Sequence, residues 1–198
     1  FRSTGVWNTN GGFEWEGKDP NLAVDFPNNT VNYEYGKTVK WTIKEGRDFS
    51  KQFATDSMAF VINESAAKFL GMKDPVGKIL KWNGEPFTII GIVKDVMQES
   101  PFYPVRPTLY HVGQYDDMHH LVMRLSPGKN ASSSLKLIEQ ELKKYTPDVP
   151  FDYKFVDEEG IYFVTATVVG WADVFIKHQS DICASKGSYR DCDEPFKD

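Results

Sequence analysis

Residues 87–93, FTIIGIV, hold a single polar side chain, Thr88, in seven positions. A short run this apolar reads as a strand buried on both faces. Its partner lies just upstream. Residues 78–82, KILKW, are joined to it through Asn83-Gly84, and Asn-Gly accepts the positive φ angles of a type I′ turn. The pair therefore reads as a hairpin, with Pro86 placed to widen its turn. A doubly covered strand needs a core. The 198 residues, 40% hydrophobic and 14% aromatic, supply enough apolar surface for one ordinary domain or two small lobes.

The segment before the hairpin has its own punctuation. SMAFVI at 57–62 is a strand candidate; Asn63 is placed to cap a short helix over 64–70, and Gly71 to end it in a left-handed cap. Asp74-Pro75 then makes a turn, and Gly77 lets the chain enter the next strand. The same stretch, GMKDPVGKIL at 71–80, resembles a phosphate loop but fails the pattern G-x-x-x-x-G-K-[ST] twice. Five residues rather than four separate Gly71 from Gly77, and Ile79, which has no hydroxyl for a magnesium ion, follows Lys78.

Period-two alternation predicts three earlier strands, through Leu22, Val24 and Phe26, through Val31, Tyr33 and Tyr35, and through Val39, Trp41 and Ile43, with DPN at 19–21 and FPNN at 26–29 as turns. Further on, HHLVMRL at 119–125 reads as a strand. Asn130 or a following serine caps a helix running through Tyr145, with Leu135, Ile138 and Leu142 on one stripe and Glu139 four residues before Lys143. DYKFV at 152–156 supplies the next strand, giving β-α-β. From Gly160 the chain is apolar but interrupted by Asp173, and then polar; residues 160–198 receive no role.

Composition excludes some functions. Against 28 Asp+Glu stand 23 Lys+Arg, a formal charge of −5 with no basic stripe, so nucleic acid is not an expected partner. No run reaches the ~18 consecutive apolar residues of a spanning helix. The start at Phe1, without an initiator Met, reads as a segment of a longer protein. Cys183 and Cys192 form no zinc motif; a small-loop disulfide and two free thiols both remain open.

No reactive constellation emerges. His119 and His120, behind Asp116 and Asp117, would point to opposite faces of a strand and share no ligand spacing; His111 and His178 stand alone as packing or surface residues. G-x-S-x-G is absent, and Asp157, Glu158 and Glu159 read as a solvated acidic segment. The triplets starting at Asn28, Asn63 and Asn130 fit glycosylation acceptors but are read as capping chemistry. The expectation is no catalytic, cofactor-binding or metal site. The early aromatics Trp7, Phe13, Trp15 and Trp41 leave an alternative, an extracellular ligand-binding or sensor module with a stacking face.

AFVINESAAKFLGMKDPVGKILKWNGEPFTIIGIVKDV, 59–96, resembles the extracytoplasmic core domain of MacB/FtsX-type ABC transporter permeases, in which an N-E-x-x-A helix, a D-P-[VI]-G-K turn and an [FY]-x-[IV]-[IV]-G-[IV]-V-x-D strand follow in this order. KEGRDFS at 44–50 is similar to the family's G-R-x-F turn, and SPFYPVRPTLYH at 100–111 to the segment after that strand. The resemblance implies an α+β, two-lobed fold. A membrane-proximal, porter-like α/β lobe would comprise 1–47 and 111–159, with 48–110 as an inserted, mostly-β lobe and 160–198 departing from the family. It further implies a non-enzymatic domain on the periplasmic face of the inner membrane, in a permease that works as a dimer. Its partners would be a cytoplasmic ATP-binding subunit and a periplasmic or outer-membrane protein. Motion would pass through hinge segments at 47–50 and 110–113.

Overall fold

A computed structural model describes residues 9–96, 104–113, 120–125, 130–144, 147, 150–151, 153–158 and 161–167. The expected long apolar run is β7, Glu85–Val93, and it organises the larger of two sheets. It pairs in parallel with β5, Ala59–Asn63, along one edge. Its other edge is shared: β6, Ile79–Trp82, takes the first half as a hairpin, and β4, Ile43–Gly46, takes the second. The hairpin turn is Asn83-Gly84, both at positive φ, with Trp82 opposite Glu85, so Pro86 does not widen it.

The sheet continues through β8, Leu109–Val112, antiparallel to β5, then β3, Phe26–Val31, parallel to β8, and ends on β1, Thr9–Asn10. At the far end β6 pairs with β2, Phe13–Trp15. β1 and β2 are successive pieces of chain separated by Gly11-Gly12, so the two margins of the sheet approach each other and the sheet curls. Phe13 of β2 duly meets Phe26 of β3, ring centroids 5.3 Å apart.

Alternation along each strand sorts the side chains into two cores. Phe13, Phe26, Phe60, Leu80, Phe87 and Ile89 are buried inside the curl, with α2, Glu64–Leu70, contributing Ala66 and Leu70. Val31, Tyr35, Ala59, Val61, Val93 and Tyr110 form the second core on the other face. β7 is therefore covered on both sides, as its composition demanded. The pieces before it also fit: Asn63 caps α2 by accepting from Ala66 N, and Gly71 closes the helix at φ 64°.

The second sheet has the order β10, Tyr153–Glu158; β11, Ile161–Thr167; β9, His120–Arg124, all antiparallel neighbours. Helix α3, Ala131–Lys143, connects β9 to β10, with Asn130 accepting from the amides of Ser132 and Ser133 and Lys143 bonded to Glu139 at 2.7 Å. The expected β-α-β is thus split by an inserted strand. Arg124 docks this unit on the larger sheet by donating to the carbonyls of Lys37 and Thr38 in α1, Tyr35–Val39, where helical carbonyls lack internal partners.

Several expectations fail for identifiable reasons. The alternations at 31–35 and 39–43 do not make strands across Tyr33 and Trp41; a helical turn, α1, lies between β3 and β4, ended by Lys40 at φ 53°, and its aromatics pack on Tyr110. FPNN is not a turn but most of β3, because Asn28 and Asn29 find partners inside the sheet. The strand expected from Leu22 begins only at Phe26. Ile161–Thr167, given no role, is the central strand of the second sheet. The larger sheet has strands on both sides of 47/48 and 110/111, and its strand β8 ends at Val112 while β9 of the second sheet starts at His120. Trp7, Asp116, Asp117, His119, Tyr145, Glu159, Asp173, His178, Cys183 and Cys192 lie outside the described residues.

The point where β6 hands the edge of β7 to β4 is sterically closed. Ile90 is an extra residue in the β5 ladder, since Phe60 faces Ile89 while Val61 faces Gly91. There a Cβ on Gly91 would run into the Arg47 carbonyl oxygen, and one on Gly46 into that of Ile90. Gly91→Ala is expected to cost about 2–3 kcal/mol, toward the upper range for single substitutions. Gly84→Ala, at φ 87° in open space, should cost about 1 kcal/mol from backbone strain alone. Urea-denaturation midpoints of the two variants check the order; an equal loss would mean that the close approach carries no weight.

Candidate functional site

The segments that flank β4, β5 and β7 form three polar clusters, the first at the start of β5 beside the middle of β7 and the other two at the opposite end, around Asn63 and just past Val93. In the first, Arg47 reaches Asp56 with two bonds of 2.7 and 2.6 Å. Asp56 has a fully buried side chain, and its Oδ2 also accepts from Ser50 N at 2.9 Å. The guanidinium lies 4.0 Å above the Phe53 ring. A planar fork suits this double duty, as a lysine would not. Hydrogen bonding to Asp56 raises the Arg47 pKa further, against the opposing effect of burial.

Asn63 centres the second cluster. Its Oδ1 accepts from Ala66 N at 2.9 Å and Thr108 N at 2.8 Å, while Nδ2 donates to the Arg106 carbonyl at 2.9 Å. One side chain thereby caps α2 and fixes the strand entry of β8. In the third cluster, Asp95, two residues past β7, accepts from Ser65 N and Ser65 Oγ at 3.0 and 2.6 Å. Its own N–H donates to Glu64 Oε2, and Glu64 pairs with Lys44 of β4 at 3.3 Å. The amide of Asp95 is the main reason the Glu64 carboxyl sits below its ordinary pKa, with Lys44 assisting against the cost of desolvation.

Asp48 ties the turn after β4 to Trp41, just past α1. Oδ2 accepts from the Trp41 indole at 2.9 Å and Oδ1 from Phe49 N at 2.7 Å. Partial burial nonetheless raises its pKa; the bonds from Trp41 and Phe49 and the charge of Lys37 oppose the shift, and Glu34 adds to it. Both segments expected to hinge are hydrogen-bonded. Arg47–Ser50 is bonded throughout, and Tyr110–Val112 lies in β8 with ladders on both edges.

The other sequence candidates scatter. Asn63 and Asn130 do cap helices, whereas Asn28 sits in β3 with Oδ1 2.9 Å from His111 Nδ1. His111 is a packing residue, as expected of a lone histidine, but a hydrogen-bonded one. Of the proposed stacking face, Phe13 is fully buried, and Trp41 packs on the second core with its indole spent on Asp48. Trp15 is half-buried against Phe26 with Lys18 over its ring. No group of acidic, histidine or cysteine side chains among the described residues could hold a metal ion. The stretch at 71–80 lines an open cleft of about 710 Å³ where Lys73, Lys78 and Lys81 occur with Glu14 and Glu16, a surface of mixed charge rather than an anion cradle. Sequence reasoning passed over Asp56 and met Asp95 only as the last residue of the strand motif; a charged residue just before or after a buried strand was the available signal.

Asp48 and Glu64 should shape the pH dependence of stability in opposite senses. Asp48, with a raised pKa, favours the fold most below pH 3.8, its unperturbed value, and that contribution is lost as pH rises through the folded-state pKa. Glu64, with a lowered pKa, contributes above pH 4.5 and less as pH falls through its folded-state value. Relative to wild type, Asp48→Asn should gain stability as pH rises out of the acid range, and Glu64→Gln should lose it. Chemical denaturation from pH 3 to 7 tests both signs.

The chain can be placed by comparison. Residues 6–141 match the family model of the MacB-like periplasmic core domain. Over 111 residues the chain is 31% identical to the macrolide export ATP-binding/permease protein MacB of Campylobacter fetus subsp. fetus, a match covering 51% of this chain and 17% of that protein. The periplasmic region of MacB from Actinobacillus actinomycetemcomitans has the same fold, with a TM-score of 0.50, 17% identity, and coverage of 87% of this chain and 72% of that one. The extracellular domain of the ABC-type transporter YknZ aligns with a TM-score of 0.38 and 15% identity, over 94% of this chain and 79% of its own. Among the described residues no helix is long and apolar enough to cross a membrane. With the match spanning β1 to α3, the chain belongs to the MacB-like periplasmic core domain family, the extracytoplasmic part of MacB/FtsX-type ABC transporter permeases.

Proposed function

We propose that this domain transmits force rather than performing chemistry, coupling ATP hydrolysis by a cytoplasmic ATP-binding subunit or domain to export, or to a periplasmic or outer-membrane partner, within a dimeric permease. One observation carries the reading. The motif residues Gly46, Arg47, Asn63, Glu64, Gly91 and Asp95 enter bonded junctions at the two ends of β5 and not a shared pocket. Their donors and acceptors are spent on fixing strands to one another, which suits a stiff lever and leaves no side chain of the set poised as nucleophile or general base. In the same reading, the split unit of β9, α3, β10 and β11 belongs to the membrane-proximal, porter-like lobe and the curled sheet to the outer, mostly-β one. α1 and Arg124 join the two.

Loosening the junction should then uncouple the permease. Removing the guanidinium with Arg47→Ala strands a buried carboxylate and should cost about 3 kcal/mol, since a lone buried charge is left uncompensated. Arg47→Lys keeps the charge but forfeits one bond and the ring contact, for about 1 kcal/mol. In the full-length parent at a temperature where both variants stay folded, export should fall at least severalfold in the order Ala below Lys below wild type, while ATP hydrolysis persists. Unchanged export in a folded Arg47→Ala permease would sink the coupling role, and robust hydrolase or transferase turnover by the purified domain would sink the non-enzymatic one.

A further inference from the structure

Inside the curl, two buried donors find no acceptor among the described residues: Asn28 Nδ2 on β3 and Trp82 Nε1 on β6. The strands that carry them are not neighbours in the sheet, yet both side chains border the imidazole of His111 on β8. Asn28 Oδ1 is 2.9 Å from Nδ1, and Thr30 Oγ1 is 3.3 Å from Nε2. The Trp82 ring stands edge-on to the imidazole with centroids 5.1 Å apart. With Nδ1–H donating to Asn28 Oδ1, the Thr30 hydroxyl donates to Nε2, so both ring nitrogens are engaged. Asn28 itself is 1% exposed, and aromatic rings close the surroundings: Phe60 lies 6.0 Å from the imidazole and Phe13 stacks on Trp82 at 5.8 Å.

Buried donors in folded proteins are nearly always satisfied, because water can no longer reach them from bulk. Both open groups here are N–H groups of neutral side chains, so what satisfies them is an oxygen lone pair. The aromatic walls restrict it to a few atoms. We propose that Asn28 Nδ2 and Trp82 Nε1 converge on a binding site for one small oxygen acceptor beside His111, either a captive water or a compact oxyanion of formate size. Such a site bridges β3 and β6 across the interior of the curl, where no strand ladder joins them, and it stands independently of the coupling role proposed above.

The indole proton of Trp82 reports on the site directly. In the ¹⁵N-labelled 198-residue chain, its signal is assigned by its loss in Trp82→Phe, which preserves an aromatic ring against Phe13. A captive water gives this proton a cross-peak to the water resonance with NOE and ROE of opposite sign, the signature of long residence, and the peak persists in Thr30→Val, which removes the hydroxyl that would otherwise relay exchange. An oxyanion source gives instead a saturable shift of the Trp82 indole signal on titration with sodium formate, larger than with sodium chloride at equal ionic strength. Either result supports the site and names its occupant. A slowly exchanging indole proton with neither response would overturn it, showing that a reversed Asn28 amide accepts from Trp82 directly.

Discussion

Everything in the larger sheet depends on β7 serving three partners. A strand has two edges, and β5 occupies one along its second half, so β6 and β4 must share the other end to end. The handover is possible because Ile90 bulges out of register, its carbonyl is taken by Arg47 N at 2.9 Å, and glycines on both chains let the backbones approach. Arg47 is then carried to the place where its side chain can reach Asp56, and the turn after β4 becomes a fixed corner. A bulge at this position converts a hairpin into the junction of three segments, with the added twist that a curled sheet needs.

The curl itself explains why the two cores differ in composition. Inside it, space is bounded by the sheet's own strands, and flat aromatic rings from β2, β3, β5, β6 and β7 fill it by edge-to-face and stacked contacts. Outside it, α1 and the loop after β4 cover β5 and β8, and polar groups at the margin can still be bonded: Trp41 donates to Asp48 while resting on Tyr35 and Tyr110. A half-buried carboxylate is tolerated there because two donors meet it, yet burial still outweighs them in setting its pKa. The margin is thus a compromise between fixing α1, on which the second sheet rests, and the cost of desolvating Asp48.

Local chemistry was legible wherever a segment's conformation is decided within itself. Asn63, Gly71, Asp74, Gly77 and Asn83-Gly84 behave as their residue types require, since caps and tight turns are satisfied by backbone groups a few positions away. The failures share one cause, a distant partner. Asn28 and Asn29 look like turn residues until β8 is laid beside them, and Tyr35 and Trp41 look like strand residues until Tyr110 offers them a face. Ile161–Thr167 looked like an unassigned tail because neither of its partners, β9 and β10, is identified by its own sequence as leaving a gap between them.

The same distinction bears on function. A catalytic site announces itself in sequence when a motif fixes several reactive groups locally, as a Walker loop does, and the stretch at 71–80 fails that test in sequence and lines an open cleft of mixed charge in the fold. The motifs that do place this chain in its family hold ordinary residues, asparagine, glutamate, glycine and arginine, whose meaning is relational. Asn63 needs Thr108, Arg47 needs Asp56, Asp95 needs Ser65, and Gly91 needs the Arg47 carbonyl close by. Interactions of this kind hold two elements at a fixed separation, and here they do so at both ends of β5, tying its flanking segments to those of β4, β7 and β8. Ties of this kind are what the proposed force-transmitting role would require of the motif residues.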